Sequence, residues 1–198
     1  MTLPTGNPHK NRNRTSIKKR LVDLDAYHTA RLNLVERSGI LRTLAVLFAR
    51  SGDSWFWLLG LALMWFTGTD FWKARATALI AGVLFTAVLV LLIKFSVRRR
   101  RPEGEWGNIY RTTDPHSFPS GHAARAAMLS VMALGMGPTW FGLLVLIWAP
   151  FVPLARVAMG IHYLSDVIAG ALFGIAMGLI TLYLYPLLML HLSPHLLF

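Results

Sequence analysis

The last 32 residues of the chain, 167–198, contain no Lys, Arg, Asp or Glu. A bilayer core of about 30 Å is crossed by about 20 apolar residues in a helix. Three other charge-free runs precede this one: 54–69, 76–93 and 126–155, with 16, 18 and 30 residues. The run of 30 is too long for one crossing, and Gly135-Met136-Gly137-Pro138 interrupts it with a turn signal. It reads as two helices in a hairpin. Trp55, Trp57 and Trp65 lie near the ends of the first run, the pattern of an aromatic belt. The expectation is an all-α, polytopic membrane helix bundle. Its five transmembrane helices fall near 53–69, 74–97, 119–136, 139–157 and 162–188.

Composition agrees. Only 15% of the residues are charged, against about 25% in ordinary soluble domains. The 20 Lys and Arg outnumber the 9 Asp and Glu, for a net charge of +11. Such an excess serves nucleic acid, an anionic membrane surface or an anionic substrate. A nucleic-acid-binding protein has no use for the charge-free runs, so no nucleic acid partner is expected. Residues 1–20 hold six cations and no acid, and read as a disordered basic tail that tethers to lipid or sets topology. Residues 21–50 interleave Leu24, Leu34, Leu41 and Phe48 with Arg31, Arg37, Arg42 and Arg50, and read as interfacial amphipathic helices. The remaining 51–198 form the membrane-embedded domain. With no Cys, disulfides, thiolate metal sites and a Cys nucleophile are excluded.

Charge at the edge of a span is costly and marks function. Lys94 ends the second span, and Arg101 follows before Pro102. Pro102 disfavours helix at Arg101, so the helix is expected to end there, two turns above Lys94, with both cations aimed at one anion. The run 98–100 reads as stop-transfer positives. Pro119-Ser120-Gly121-His122 opens the third span. Pro suits the first turn, and the Ser120 and Gly121 N–H groups at a helix N-terminus suit an anion. Arg156 precedes His162, and Asp166 follows four residues later on what reads as one face of the fifth span. A carboxylate there fixes the imidazole tautomer and leaves the other nitrogen free to attack. Two spans separate these loops, so all three pieces lie on one side of the membrane. Gly170, Gly174 and Gly178 form a small-residue stripe, read as a packing face.

Together the pieces resemble the signature of the type-2 phosphatidic acid phosphatase superfamily, which also holds the vanadium haloperoxidases. That signature is Lys-x6-Arg-Pro, Pro-Ser-Gly-His and Ser-Arg-x5-His-x3-Asp. Here it runs from Lys94 to Pro102, from Pro119 to His122 and from Arg156 to Asp166, with Ala155 in place of the usual Ser. The resemblance implies a small membrane-embedded lipid phosphatase. His162 is then the nucleophile that forms a phosphohistidine, Asp166 its partner, and His122 the general acid and later base. Lys94, Arg101, Arg156, Ser120 and Gly121 bind the substrate phosphate. Three cations neutralise a phosphoryl group, so neither cofactor nor metal is expected. Arg111 and His116 are candidates for headgroup contacts, and Arg125 for a polar interface.

The expected activity is hydrolysis of a lipid phosphomonoester or pyrophosphate: phosphatidate, phosphatidylglycerol phosphate, a polyprenyl pyrophosphate or a phosphorylated polyprenyl sugar. The alternatives are a haloperoxidase-like enzyme and a non-catalytic lipid-phosphate binding or transport protein. The cell membrane is the expected location. The basic tail then places the site on the cytoplasmic face, or on the outer face if 21–50 adds a sixth crossing.

Overall fold

The computed structural model describes residues 8–34, 39–103, 106 and 114–196. Among them are eight helices: α1 (Pro8–Arg31), α2 (Ile40–Ser51), α3 (Ser54–Thr67), α4 (Asp70–Val97), α5 (Gly121–Met136), α6 (Thr139–Trp148), α7 (Phe151–Ala158) and α8 (Leu164–Leu196). The five segments expected to cross are all helical: α3, α4, α5, the α6–α7 pair and α8. Among the described residues, three segments are long and apolar enough to span a bilayer: Asp70–Val97, Thr139–Ala158 and Leu164–Leu187. Helix α3, with 14 residues, is only about 21 Å long.

Helix α5 is the centre of the bundle and packs against α4, α6, α7 and α8. Its buried face is made of small and flexible residues, among them Ala123, Ala124, Met128, Met132 and Ala133. The glycine stripe of α8 lets the two backbones touch. A Cβ on Gly170 would lie 2.4 Å from the Ser120 carbonyl oxygen, and one on Gly174 only 2.0 Å from that of Ala124. The outer surface is apolar instead, with Leu84, Phe85, Val88 and Leu92 on α4 and Leu172, Ile175 and Leu179 on α8 all exposed. A polar-poor exterior over a bundle whose backbone bonds are internally satisfied is the form a bilayer demands.

Four boundaries differ from the sequence reading. Residues 8–20 continue α1 instead of forming a disordered tail; Pro8 suits a first turn, and Lys and Arg are good helix formers. Residues 1–7 lie outside the described part. Helix α4 stops at Val97, where the 74–97 span is expected to end, and not at Arg101, where Pro102 is expected to end the helix. The fourth crossing breaks between Trp148 and Phe151, where Pro150 supplies no N–H for the helical bond. Helix α8 runs through Pro186 to Leu196.

Candidate active site

The end of α4 decides where four arginines go. Arg98 takes the left-handed conformation (φ 51°) and returns its N–H to the Lys94 carbonyl at 2.9 Å. The chain then runs extended, with Arg100 bridged to His116 in antiparallel fashion and the Ser117 N–H bonded to the Arg99 carbonyl at 2.8 Å. Alternate residues of extended backbone share a side. Arg99 and Arg101 therefore turn inward, while Arg98 and Arg100 are exposed. Arg98 and Arg100 stay on the surface, whereas Arg99 is drawn into the protein.

Arg101 is 2% exposed. Its Nη1 donates to the Ile161 carbonyl at 3.0 Å and lies 3.2 Å from His162 Nε2. Its Nε and Nη2 donate to the Asp114 carbonyl and to Asp114 Oδ2 at 2.7 and 2.8 Å. Lys94 Nζ donates to the same Oδ2. Lys94 and Arg101 thus converge on one anion, as their spacing suggested, and the anion is the carboxylate of Asp114. Burial pushes that carboxyl upward, but Lys94 and Arg101 outweigh it and hold it below the ordinary range. Arg156, buried on α7, interacts electrostatically with both His122 and His162.

His162 stands in the turn between α7 and α8, two residues before the helix begins, and not on the helix itself. Gly160, at φ 63°, makes the corner. The ring is fully buried. Its Nε2 faces Arg101, and its Nδ1 lies 3.6 Å from Asp166 Oδ2. That separation exceeds a hydrogen bond, and Nδ1 has no other partner among the described residues. Catalytic hydrogen bonds are often this long before substrate binds. Asp166 is itself held: the Tyr163 N–H donates to Oδ2 at 2.9 Å, and Arg99 Nη1 to Oδ1 at 2.7 Å.

Ser120 is the N-cap of α5, its Oγ accepting from the Ala123 N–H at 3.4 Å. The Ser120 N–H is spent on the Asp166 carbonyl at 3.0 Å, which ties the head of α5 to α8. At Gly121 a Cβ would meet only Val90, at 3.4 Å, so protein packing does not demand glycine there. His122 Nε2 lies 2.7 Å from Asp53 Oδ1. Arg125, buried, donates twice to the Gly52 carbonyl at 3.1 and 2.9 Å. A Cβ on Gly52 would come within 2.5 Å of Val152 Cγ1 and 3.1 Å of His122 Cδ2. The Gly52-Asp53 corner thus packs against the His122 ring on its Nε2–Cδ2 edge. Sequence reading missed Asp53, Asp114 and the inward role of Arg99. His116 packs edge-on against Phe95, ring centres 5.6 Å apart. Arg111 lies outside the described residues.

Residues 75–189 match the PAP2 superfamily. The chain belongs to that superfamily. It is 31% identical over 140 residues to an undecaprenyl-diphosphatase of Sulfolobus acidocaldarius, covering 68% of this chain and 66% of that protein. It is 32% identical over 151 residues to a decaprenylphosphoryl-5-phosphoribose phosphatase of Mycobacterium tuberculosis, covering 74% and 81%. A lipid A 1-phosphatase of Rhizobium etli is 30% identical over 174 residues, covering 76% and 74%. The fold matches the crystal structure of LpxE from Aquifex aeolicus, with TM-score 0.64, 24% identity and coverage of 79% and 93%. It also matches a transmembrane PAP2-type phosphatidylglycerolphosphate phosphatase from Bacillus subtilis, with TM-score 0.66, 19% identity and coverage of 82% and 84%. This PAP2 protein is a helical membrane protein whose named relatives are phosphatases of lipid phosphates and diphosphates.

Proposed function

We propose that the chain hydrolyses a phosphomonoester or pyrophosphate carried by a membrane lipid. The observation that carries this is the position of His162 Nε2, 3.2 Å from Nη1 of Arg101, whose guanidinium together with Lys94 already holds a carboxylate. A phosphoryl group bound there meets a nucleophile, with cations on its oxygens. Nε2 attacks phosphorus, and the bond to the leaving oxygen breaks. His122 gives that oxygen a proton, then takes one from the water that cleaves the phosphohistidine. Asp166 accepts a hydrogen bond from Nδ1–H and stabilises the imidazolium character that develops. Ser120 and the Gly121 N–H complete the phosphate site with Arg156.

Two features favour a long-chain lipid. Two of the three relatives named above act, by name, on polyprenyl compounds. A cavity of about 1030 Å³, lined by Leu47, Phe56, Trp57, Leu61 and Trp148, reaches Asp53, the partner of His122. The choice among phosphatidate, phosphatidylglycerol phosphate, polyprenyl pyrophosphate and phosphorylated polyprenyl sugars is decided by assay. Purified protein is given each in turn with a chelator present, and phosphate release is followed. One of these lipids should be turned over far faster than a soluble phosphomonoester. Release from none of them would overturn the proposal.

The catalytic side is read as cytoplasmic. Asp25 of α1 reaches Ser165, the Leu34 N–H reaches the Ala158 carbonyl at 2.8 Å, and Asp53 reaches His122. The chain is therefore at the level of the site before and after α2, which supports an interfacial α2 and five crossings. The cations of α1 then share the side of the site, and the positive-inside rule places that side in the cytoplasm.

A further inference from the structure

The first turn of a helix leaves N–H groups without partners, and α8 has its first turn satisfied from far away. Thr29 Oγ1 accepts from the Leu164 N–H, and Asp25 Oδ1 from the Ser165 N–H, both at 3.0 Å. Both acceptors belong to α1. The other oxygen of Asp25 accepts from Arg99 Nη2 at 2.6 Å and from the Ser165 hydroxyl. Arg99 Nη1 in turn donates to Ser165 Oγ at 2.6 Å and to Asp166 Oδ1 at 2.7 Å. Its guanidinium also lies over the Tyr163 ring, 4.1 Å from the centroid. Asp166 is fully buried, and the Asp25 side chain is 12% exposed. Burial pushes the Asp25 carboxyl up, but its bonds from Ser165 and Arg99 prevail and keep it below the ordinary range. A carboxylate on α1 therefore fixes the arginine that fixes the partner of the proposed nucleophile.

We propose that α1 is a positioning element of the active site: Asp25, acting through Arg99, sets where the Asp166 carboxylate stands behind His162. The gap of 3.6 Å between Asp166 Oδ2 and His162 Nδ1 makes this setting matter. A shift of less than 1 Å turns that contact into a hydrogen bond or loses it altogether. The membrane-spanning bundle holds His162 and Asp166 in sequence, but the last increment of their register comes from a helix outside it. The catalytic part of this inference rests on the role proposed above for His162.

Asp25→Asn separates the relay from the cap. The amide oxygen still accepts from the Ser165 N–H, whereas the NH2 group faces Arg99 with donors instead of an acceptor. The expected result is a fall in kcat of about tenfold with little change in KM, the low end of what is lost when the outer partners that orient metal-ligating side chains are removed. Thr29→Ala removes a cap from α8 but leaves Arg99 clamped, and serves as the comparison. A second readout does not need turnover. In protein labelled with 15N-histidine, the His162 ring signal, assigned by its loss in His162→Gln, should move in Asp25→Asn and stay in place in Thr29→Ala. Wild-type kcat in Asp25→Asn, or a His162 signal that ignores it, would overturn the inference. A wild-type protein inactive on every lipid phosphate would instead refute the proposed function, and the ring signal would still report on the relay.

Discussion

Asp114 and Asp53 are the two residues whose chemistry the site adds to the motif. Asp114 occupies the cation pair as an internal anion. Its carboxyl is held below the ordinary range, so it stays ionised throughout the neutral range. Its contribution to stability is present above the unfolded carboxylate value and is lost only as pH falls through the lower folded one. In the proposed mechanism an incoming phosphoryl group competes with it for Lys94 and Arg101. Asp114→Asn should therefore tighten inhibition by orthovanadate or inorganic phosphate, by about tenfold if about 1.4 kcal/mol of competition is removed. Weaker inhibition in the variant would mean that Asp114 organises the cations for substrate and does not compete. Asp53 acts on the other histidine. Asp53→Asn should lower kcat by about ten- to a hundredfold, with a smaller loss on substrates whose leaving group needs no proton. An equal loss for activated and unactivated leaving groups would contradict the assignment of His122 as the acid.

Among the elements, α5 and α8 carry the site because they can approach so closely. The Ser120 N–H meets the Asp166 carbonyl only where Gly170 and Gly174 let the helices touch. Gly174→Leu should push α8 away from α5, lowering thermal stability and abolishing activity together; overpacking of this kind costs about 1–3 kcal/mol or more. A stable, active Gly174→Leu protein, measured by melting and by phosphate release, would show that the contact is not needed. This stripe was legible in sequence because a four-residue period is a local signal. The Arg99 contact was not, because it depends on the switch from helix to extended chain at Arg98. In a continued helix Arg99 and Arg101 would diverge, but in extended backbone they turn to the same side. Asp25 and Asp53 were equally hidden. Each meets its partner 74 and 69 residues away, Arg99 and His122 respectively, and no spacing in the sequence encodes such a pairing.

At the scale of the molecule, the motif residues that bring a cation or an imidazole to the site converge at one end of a bundle whose flanks are apolar. The order and spacing of the charges located the helices of the bundle and brought His162 and Asp166 together as a pair. The support for that pair comes from the amphipathic segment that reads as a separate interfacial unit. If the catalytic end is cytoplasmic, the turn before α6 faces outward. The chain has no Cys, so single Cys residues can be placed at Lys19, Arg100 and Thr139, all exposed. In intact cells an impermeant thiol reagent should label Thr139→Cys alone. Labelling of Arg100→Cys but not Thr139→Cys would place the site on the outer face. The central claim is that phosphorus passes through His162. Its most direct measurement is a rapid alkaline quench during turnover of a lipid carrying 32P in the scissile phosphate. The account predicts radioactive protein whose label is stable to alkali, is lost in acid, and is absent from His162→Ala. Turnover by His162→Ala at the wild-type rate, or label that persists in that variant, would contradict it.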